Sequence, residues 1–136
     1  VRNLIVVGAL MALAACAQAP LPSLGDPDLD AGRQTFNRVC ATCHGPNGQG
    51  ASAPTLENVL ATFSDCTDQQ QWILLGSKRW EEEVGPTYGD TDKDITAVMP
   101  SFETVLSEME IAQVAAFQRL QFGGATIEES LSGCGL

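Results

Sequence analysis

Cys40-Ala41-Thr42-Cys43-His44 is the stretch on which the reading of this 136-residue chain turns. Two thiols three positions apart on one helical turn, followed at once by an imidazole, form the C-x-x-C-H pattern of haem c attachment. The thiols reach the two vinyl groups along one edge of the macrocycle, and the next residue is thereby held beneath the iron. Thioredoxin-like redox pairs and zinc sites share the C-x-x-C spacing. A redox pair of that kind calls for a βαβ setting with β-branched strands, whereas the pattern around Cys40 is helical. A zinc site calls for four ligands, and the chain has one histidine and no second C-x-x-C.

A single histidine excludes bis-histidine ligation within the chain, so a methionine is expected at the sixth iron position. Of Met11, Met99 and Met109, the first lies in the N-terminal apolar run. Met99 sits in Val98-Met99-Pro100-Ser101-Phe102, a loop-like stretch stiffened by proline, and is the expected ligand. Met109 falls in the first turn of a helix and reads as surface or packing.

Working outward to the N-terminus, Leu4 to Ala15 is an apolar run behind Arg2 that ends in small residues, the outline of a signal peptide over residues 1–15. It falls short of the roughly 20 residues a membrane-spanning helix needs. Leu13-Ala14-Ala15-Cys16 is similar to the lipobox of bacterial lipoproteins, which places a lipid on Cys16 and makes residues 16–27 a polar, proline-containing tether. The remainder, 28–136, is long enough for one small domain with a C-terminal tail. The formal net charge of −10 argues against nucleic acid and anionic lipid surfaces as partners and suits approach to a basic protein patch.

The five cysteines of an exported chain divide evenly: Cys16 to lipid, Cys40 and Cys43 to haem, and Cys66 with Cys134 left to form a disulfide in an oxidising compartment. The bridge would pin a tail that follows Gly123-Gly124.

Three main helices are expected. Asp26 with Pro27 reads as an N-cap with proline at the first helical position, opening a helix to about Val39 on which Gly32, Phe36 and Cys40 share a face. A middle helix over about Cys66–Leu75 starts from Ser64 or Asp65 and stops at Gly76. Ser107 with Glu110 marks a capping box for a last helix over about 108–122, with Gly123 as its left-handed C-cap. Residues 44–54 and 76–100 read as loops, and so much irregular chain in a small protein needs a further body to pack against.

These residues resemble the class I cytochrome c family over about residues 28–123. Gly32, Phe36, Cys40, Cys43 and His44 match its first helix and haem motif, Pro54-Thr55-Leu56 its Pro-x-Leu loop, Met99-Pro100 its axial-methionine segment, and Val114 and Phe117 its last helix. The resemblance implies an all-α fold wrapped around one covalently bound haem, a first and last helix crossing at Gly32 against Phe117, and a hydrogen bond from His44 Nδ1 to the Pro54 carbonyl. By analogy, Arg79, Trp80 or Tyr88 meets the haem propionates. The long stretch 77–95, the extra Cys66 and Cys134, and a lysine count limited to Lys78 and Lys93 depart from the simplest members, and the last feature argues against docking through a lysine face.

With cofactor-binding residues Cys40, Cys43, His44, Pro54 and Met99, and with His44 and Met99 on the iron, no coordination site is left for a substrate. The expectation is therefore a monomeric, periplasmic or membrane-tethered single-electron carrier rather than an enzyme. Its expected partners are a donor dehydrogenase or quinol-oxidising complex and an acceptor oxidase. The alternatives are a haem c enzyme or gas sensor with a labile sixth ligand, or a fixed cytochrome subunit of a larger oxidoreductase.

Overall fold

A computed structural model describes residues 21–136. The proposed leader and the Cys16 lipid site lie outside the described residues. Helix α1, Pro27–Thr35, opens where expected: the Asp26 side chain accepts from the amides of Asp28 and Leu29. It passes directly into a π-helical turn, Phe36–Cys40, and then α2, Ala41–His44. The Ala41 amide donates to Phe36 O across the turn, five residues back. Such wide turns recur at functional sites because they re-aim the side chains that follow. Here the turn ends on Cys40, the first residue of the C-x-x-C-H motif.

Further on come α3 (Val59–Thr62), α4 (Cys66–Glu83), α5 (Glu108–Gln121) and α6 (Ile127–Gly133). Among the described residues there is no strand, only an isolated bridge between Thr87 and Asp94, and no helix is long and apolar enough to cross a membrane. Helix α5 has the expected capping box, with Ser107 Oγ accepting from the Glu110 amide and the Glu110 carboxylate accepting from the Ser107 amide.

The core is organised by the crossing of α1 and α5. Leu29, Phe36, Val114 and Ala115 are fully buried there. Gly32 is the contact point: a Cβ on it would lie 2.1 Å from Gln113 O and 2.9 Å from Phe117 Cβ, so any side chain would force the helices apart. The rings of Phe36, Phe117 and Phe122 pack with centroids 5.0–5.5 Å apart beneath the crossing, an arrangement of tilted and edge contacts that aromatic quadrupoles favour.

Three expectations need amendment. The middle helix does break at Gly76 (φ 70°, ψ 173°), but the chain resumes helical geometry to Glu83 instead of entering a loop. The buried Trp80, 3 % exposed, anchors this second half, which carries too few apolar residues to show a period in sequence. The left-handed residue after α5 is Gly124 (φ 79°), not Gly123. Gly123 is small because a Cβ would meet Arg119 O and Leu60 Cγ, each at 2.8 Å. Lastly, the C-terminal tail forms α6, which has its own capping box of Thr126 and Glu129. The Cys66–Cys134 disulfide joins that tail to the start of α4, with Cα atoms 5.2 Å apart.

Candidate functional site

Chain geometry after α2 is set by a run of backbone bonds. Gly45 N donates to Ala41 O, Gly50 N to His44 O, Ala53 N to Cys43 O and Leu56 N to Gly48 O. Gly45, Gly48 and Gly50 all have positive φ, which lets the loop fold back on itself. The loop therefore returns Pro54 to α2, where His44 Nδ1 lies 2.9 Å from Pro54 O. A carbonyl only accepts, so Nδ1 carries the proton and donates it. In the neutral ring Nε2 then keeps its lone pair, the form in which an imidazole binds metal. Burial holds the His44 pKa below its ordinary 6.5, against the opposing pull of the Pro54 carbonyl.

Cys40 is buried and Cys43 exposed. Burial, and secondarily the neighbouring Cys43, push the Cys40 thiol up to about 12. A thiol so far from ionisation is a poor disulfide-exchange nucleophile. Among the described residues no group of three or more His, Cys, Asp or Glu side chains is placed to hold a metal ion. Both observations weigh against the rival readings of the C-x-x-C pair.

A cavity of about 330 Å³ opens against this motif. Cys40, Cys43, His44 and Pro54 contribute to its lining, and so do Met99 and Pro100 from the loop before α5. Val39, Leu56, Val59, Phe63, Trp72, Ile73 and Phe102 give it a largely apolar wall. All five site residues expected from the sequence thus border one space. Its donor set is two thiols, an imidazole with its distal nitrogen free, and a thioether. Together with apolar walls, that set fits a haem c attached to the chain. Met109, by contrast, is 57 % exposed and does not line the cavity.

The residues named for the propionates are placed unequally. Arg79 forms ion pairs with Glu83 and Glu103 on the surface, and neither it nor Trp80 lines the cavity. Trp80 Nε1 is committed to Thr87 O, and its ring supports Trp72 and Phe63 in edge contacts at 5.5 and 5.9 Å. Tyr88 does line the cavity, as do Lys93 and Thr96. The Tyr88 hydroxyl accepts from the amides of Thr96 and Ala97 and retains its own proton to donate.

The sequence reading missed a polar wall. Gln69 and Gln118 border the cavity, with Gln69 Nε2 donating to Gln118 Oε1 at 2.9 Å. Behind them the Arg119 guanidinium donates to Phe63 O and Ser64 O at 2.9 and 3.0 Å and to Gln69 Oε1 at 3.3 Å. Burial lowers the Arg119 pKa, and Asp65 opposes the shift. No local pattern announces this network, because Arg119 shares a helix with its polar neighbour Gln118 but bonds to chain 50 or more residues away.

Comparison with known proteins bears on the same residues. A family model described as cytochrome c matches residues 29–119. Among solved structures, the chain is similar to the c-type cytochrome XoxG from Methylobacterium extorquens AM1, with 21 % identity and a TM-score of 0.53. The match covers 74 % of this chain and 54 % of that one, so this chain spans about half the length of that protein. At this identity the likeness speaks to the fold alone. No curated protein matches.

Proposed function

The chain belongs to the cytochrome c family, whose members carry covalently bound haem c and are typically extracytoplasmic electron carriers, and on that premise we propose a specific assignment. Cys40 and Cys43 would hold the haem, His44 and Met99 would bind its iron, and the protein would pass single electrons between partner proteins. The observation that carries the reading is the convergence of both thiols, His44 and Met99 on one cavity, with His44 Nδ1 tied to Pro54 O.

Bound haem c supplies the one-electron couple. The chain's own residues prepare the surroundings for it. Pro54 fixes the imidazole orientation through the Nδ1 proton and raises the basicity of Nε2. The Met99 thioether, a soft donor, would favour the reduced state and so raise the potential. Apolar walls from Phe63, Trp72, Ile73 and Phe102 keep water away from the centre, and the crossing of α1 and α5 makes the frame rigid, so little needs to move when charge changes.

The assignment extends to location and partners. A lipid on Cys16 tethers the protein at the outer side of the cytoplasmic membrane, and its acidic surface suits redox partners that present a basic face, a donor dehydrogenase or quinol-oxidising complex on one side and an oxidase on the other. Mass spectrometry of the mature N-terminus decides the tether: a diacylglyceryl-modified Cys16 supports it, and an unmodified start at another residue removes it.

Potentiometric titration of the purified holoprotein tests the function. A single reversible one-electron wave is expected, with a ferrous spectrum unaltered by carbon monoxide and no turnover of peroxide. Rapid peroxide turnover or ready carbon monoxide binding by the ferrous parent protein would instead favour an enzyme or sensor.

A further inference from the structure

Helix α4 is broken at Gly76, midway along its length. Gly76 adopts φ 70°, and a Cβ there would lie 2.6 Å from each of Met99 O, Pro100 C and Ser101 N. The break therefore exists where the Met99 loop crosses the helix. It leaves unpaired backbone groups on both sides, as any helix end does, and the loop satisfies them. On the N-terminal half, Leu74 O accepts from Ser101 Oγ at 2.7 Å and Ile73 O from Phe102 N at 3.3 Å. On the C-terminal half, Ser77 N donates to Met99 O at 2.9 Å, and Ser77 Oγ accepts from Met99 N at 3.0 Å.

Ser77 thus holds both backbone polar groups of Met99: its amide donates to the Met99 carbonyl, and its buried hydroxyl accepts from the Met99 amide and donates to that carbonyl at 3.4 Å. The residue before Met99 offers no comparable hold, since Val98 is 90 % exposed. We infer that the Gly76–Ser77 break is a clamp that positions Met99, with the Ser77 hydroxyl setting how readily the Met99 loop lifts away from the cavity. The inference rests on the assignment of Met99 as sixth ligand. Ser77 is a positioning residue in this account: it acts on the Met99 backbone and does not line the cavity.

Removing the hydroxyl leaves the Met99 amide without a partner while the loop is seated, whereas in the lifted loop that amide bonds to water. The balance moves toward the lifted form by about tenfold, equivalent to ~1.4 kcal/mol. An external ligand such as cyanide reaches ferric iron only when Met99 is off, so its binding rate reads that population.

The experiment measures cyanide association rate and hydrogen exchange of the Met99 amide in ferric holoprotein of the parent and of Ser77→Ala, Ser77→Thr, Met99→Ala and Thr126→Ala. The last variant removes the α6 cap and lowers overall stability far from the loop. The clamp predicts about tenfold faster cyanide binding and lost protection of the Met99 amide in Ser77→Ala, recovery toward parent behaviour in Ser77→Thr, and no change in rate for Thr126→Ala. If Ser77→Ala binds cyanide like the parent while Met99→Ala binds it much faster, the clamp is overturned and the ligand assignment stands. Parent-like rates in both would overturn the ligand assignment and the clamp with it. Equal acceleration in Ser77→Ala and Thr126→Ala would reduce Ser77 to general stability and overturn the clamp.

Discussion

Replacing both Cys66 and Cys134 with alanine should destabilise the holoprotein by about 4 kcal/mol. The bridge spans 68 residues, and the chain-entropy account of cross-links gives roughly 4 kcal/mol for a loop of that size. The native state adds little strain, since the two Cα atoms sit 5.2 Å apart, well inside the range a disulfide accepts. The loop encloses nearly all of α4 to α6 and excludes the haem motif, so haem attachment does not already impose the same constraint. What the bridge holds in place is α6, a helix of 7 residues, far shorter than the 12–15 or so that is marginal alone in water. Apart from the sulfurs, Gln70 Nε2 donating to Cys134 O at 2.9 Å is a second tie from α4 to the tail. Against a typical domain stability of about 5–15 kcal/mol, the loss is large, and it should lower the melting temperature by on the order of 15 °C. Guanidinium unfolding followed by far-ultraviolet circular dichroism, parent against the double variant under oxidising conditions, measures it. A loss below about 1 kcal/mol would refute the reasoning, because the unfolded chain would then not be restrained by this loop.

Two further outcomes follow from single side chains. Gly32→Ala should cost about 3 kcal/mol or more in the same unfolding assay, although alanine is the better helix former by about 1 kcal/mol, because its Cβ would fall 2.1 Å from Gln113 O; unchanged stability would contradict the close crossing. Glu110, whose pKa is held at about 2 against an ordinary 4.5 by the Ser107 amide, the Arg38 guanidinium and the Ser107 hydroxyl, stabilises the start of α5 only while ionised. Its folded pKa lies below the unfolded one, so the contribution is complete above pH 4.5 and is lost as pH falls toward 2. The stability gap between parent and Glu110→Gln should therefore close over that interval, and a gap independent of pH would refute the assignment.

Much of this molecule is legible in the sequence because its signals are local. Asp26-Pro27, Ser107 with Glu110, and the cysteine–histidine motif each state their geometry within a few residues, and the structure forms both caps. The pairing of Cys66 with Cys134 follows from counting thiols, and the bond from His44 to Pro54 from the family resemblance. What escaped is held by distant contacts. The second half of α4 is a charged run secured by one buried tryptophan, and the polar wall of Gln69, Gln118 and Arg119 is assembled from α4, α5 and the Phe63–Ser64 segment. Lys93 and Thr96 reach the cavity from a loop with no period at all, beside Tyr88, which the family analogy did name. Helix α6 is a different case: Thr126 and Glu129 spell a capping box as plain as the one that opens α5, but a tail after two glycines was expected to have little to bury.

The central claim is that His44 and Met99 both sit on the iron, and carbon monoxide binding to the ferrous holoprotein tests it most directly. With both axial positions filled by the chain, the parent should leave its ferrous spectrum unchanged under carbon monoxide, whereas Met99→Ala should bind the gas and shift its absorption. Ready binding by the parent, or identical behaviour of the two proteins, would contradict the account.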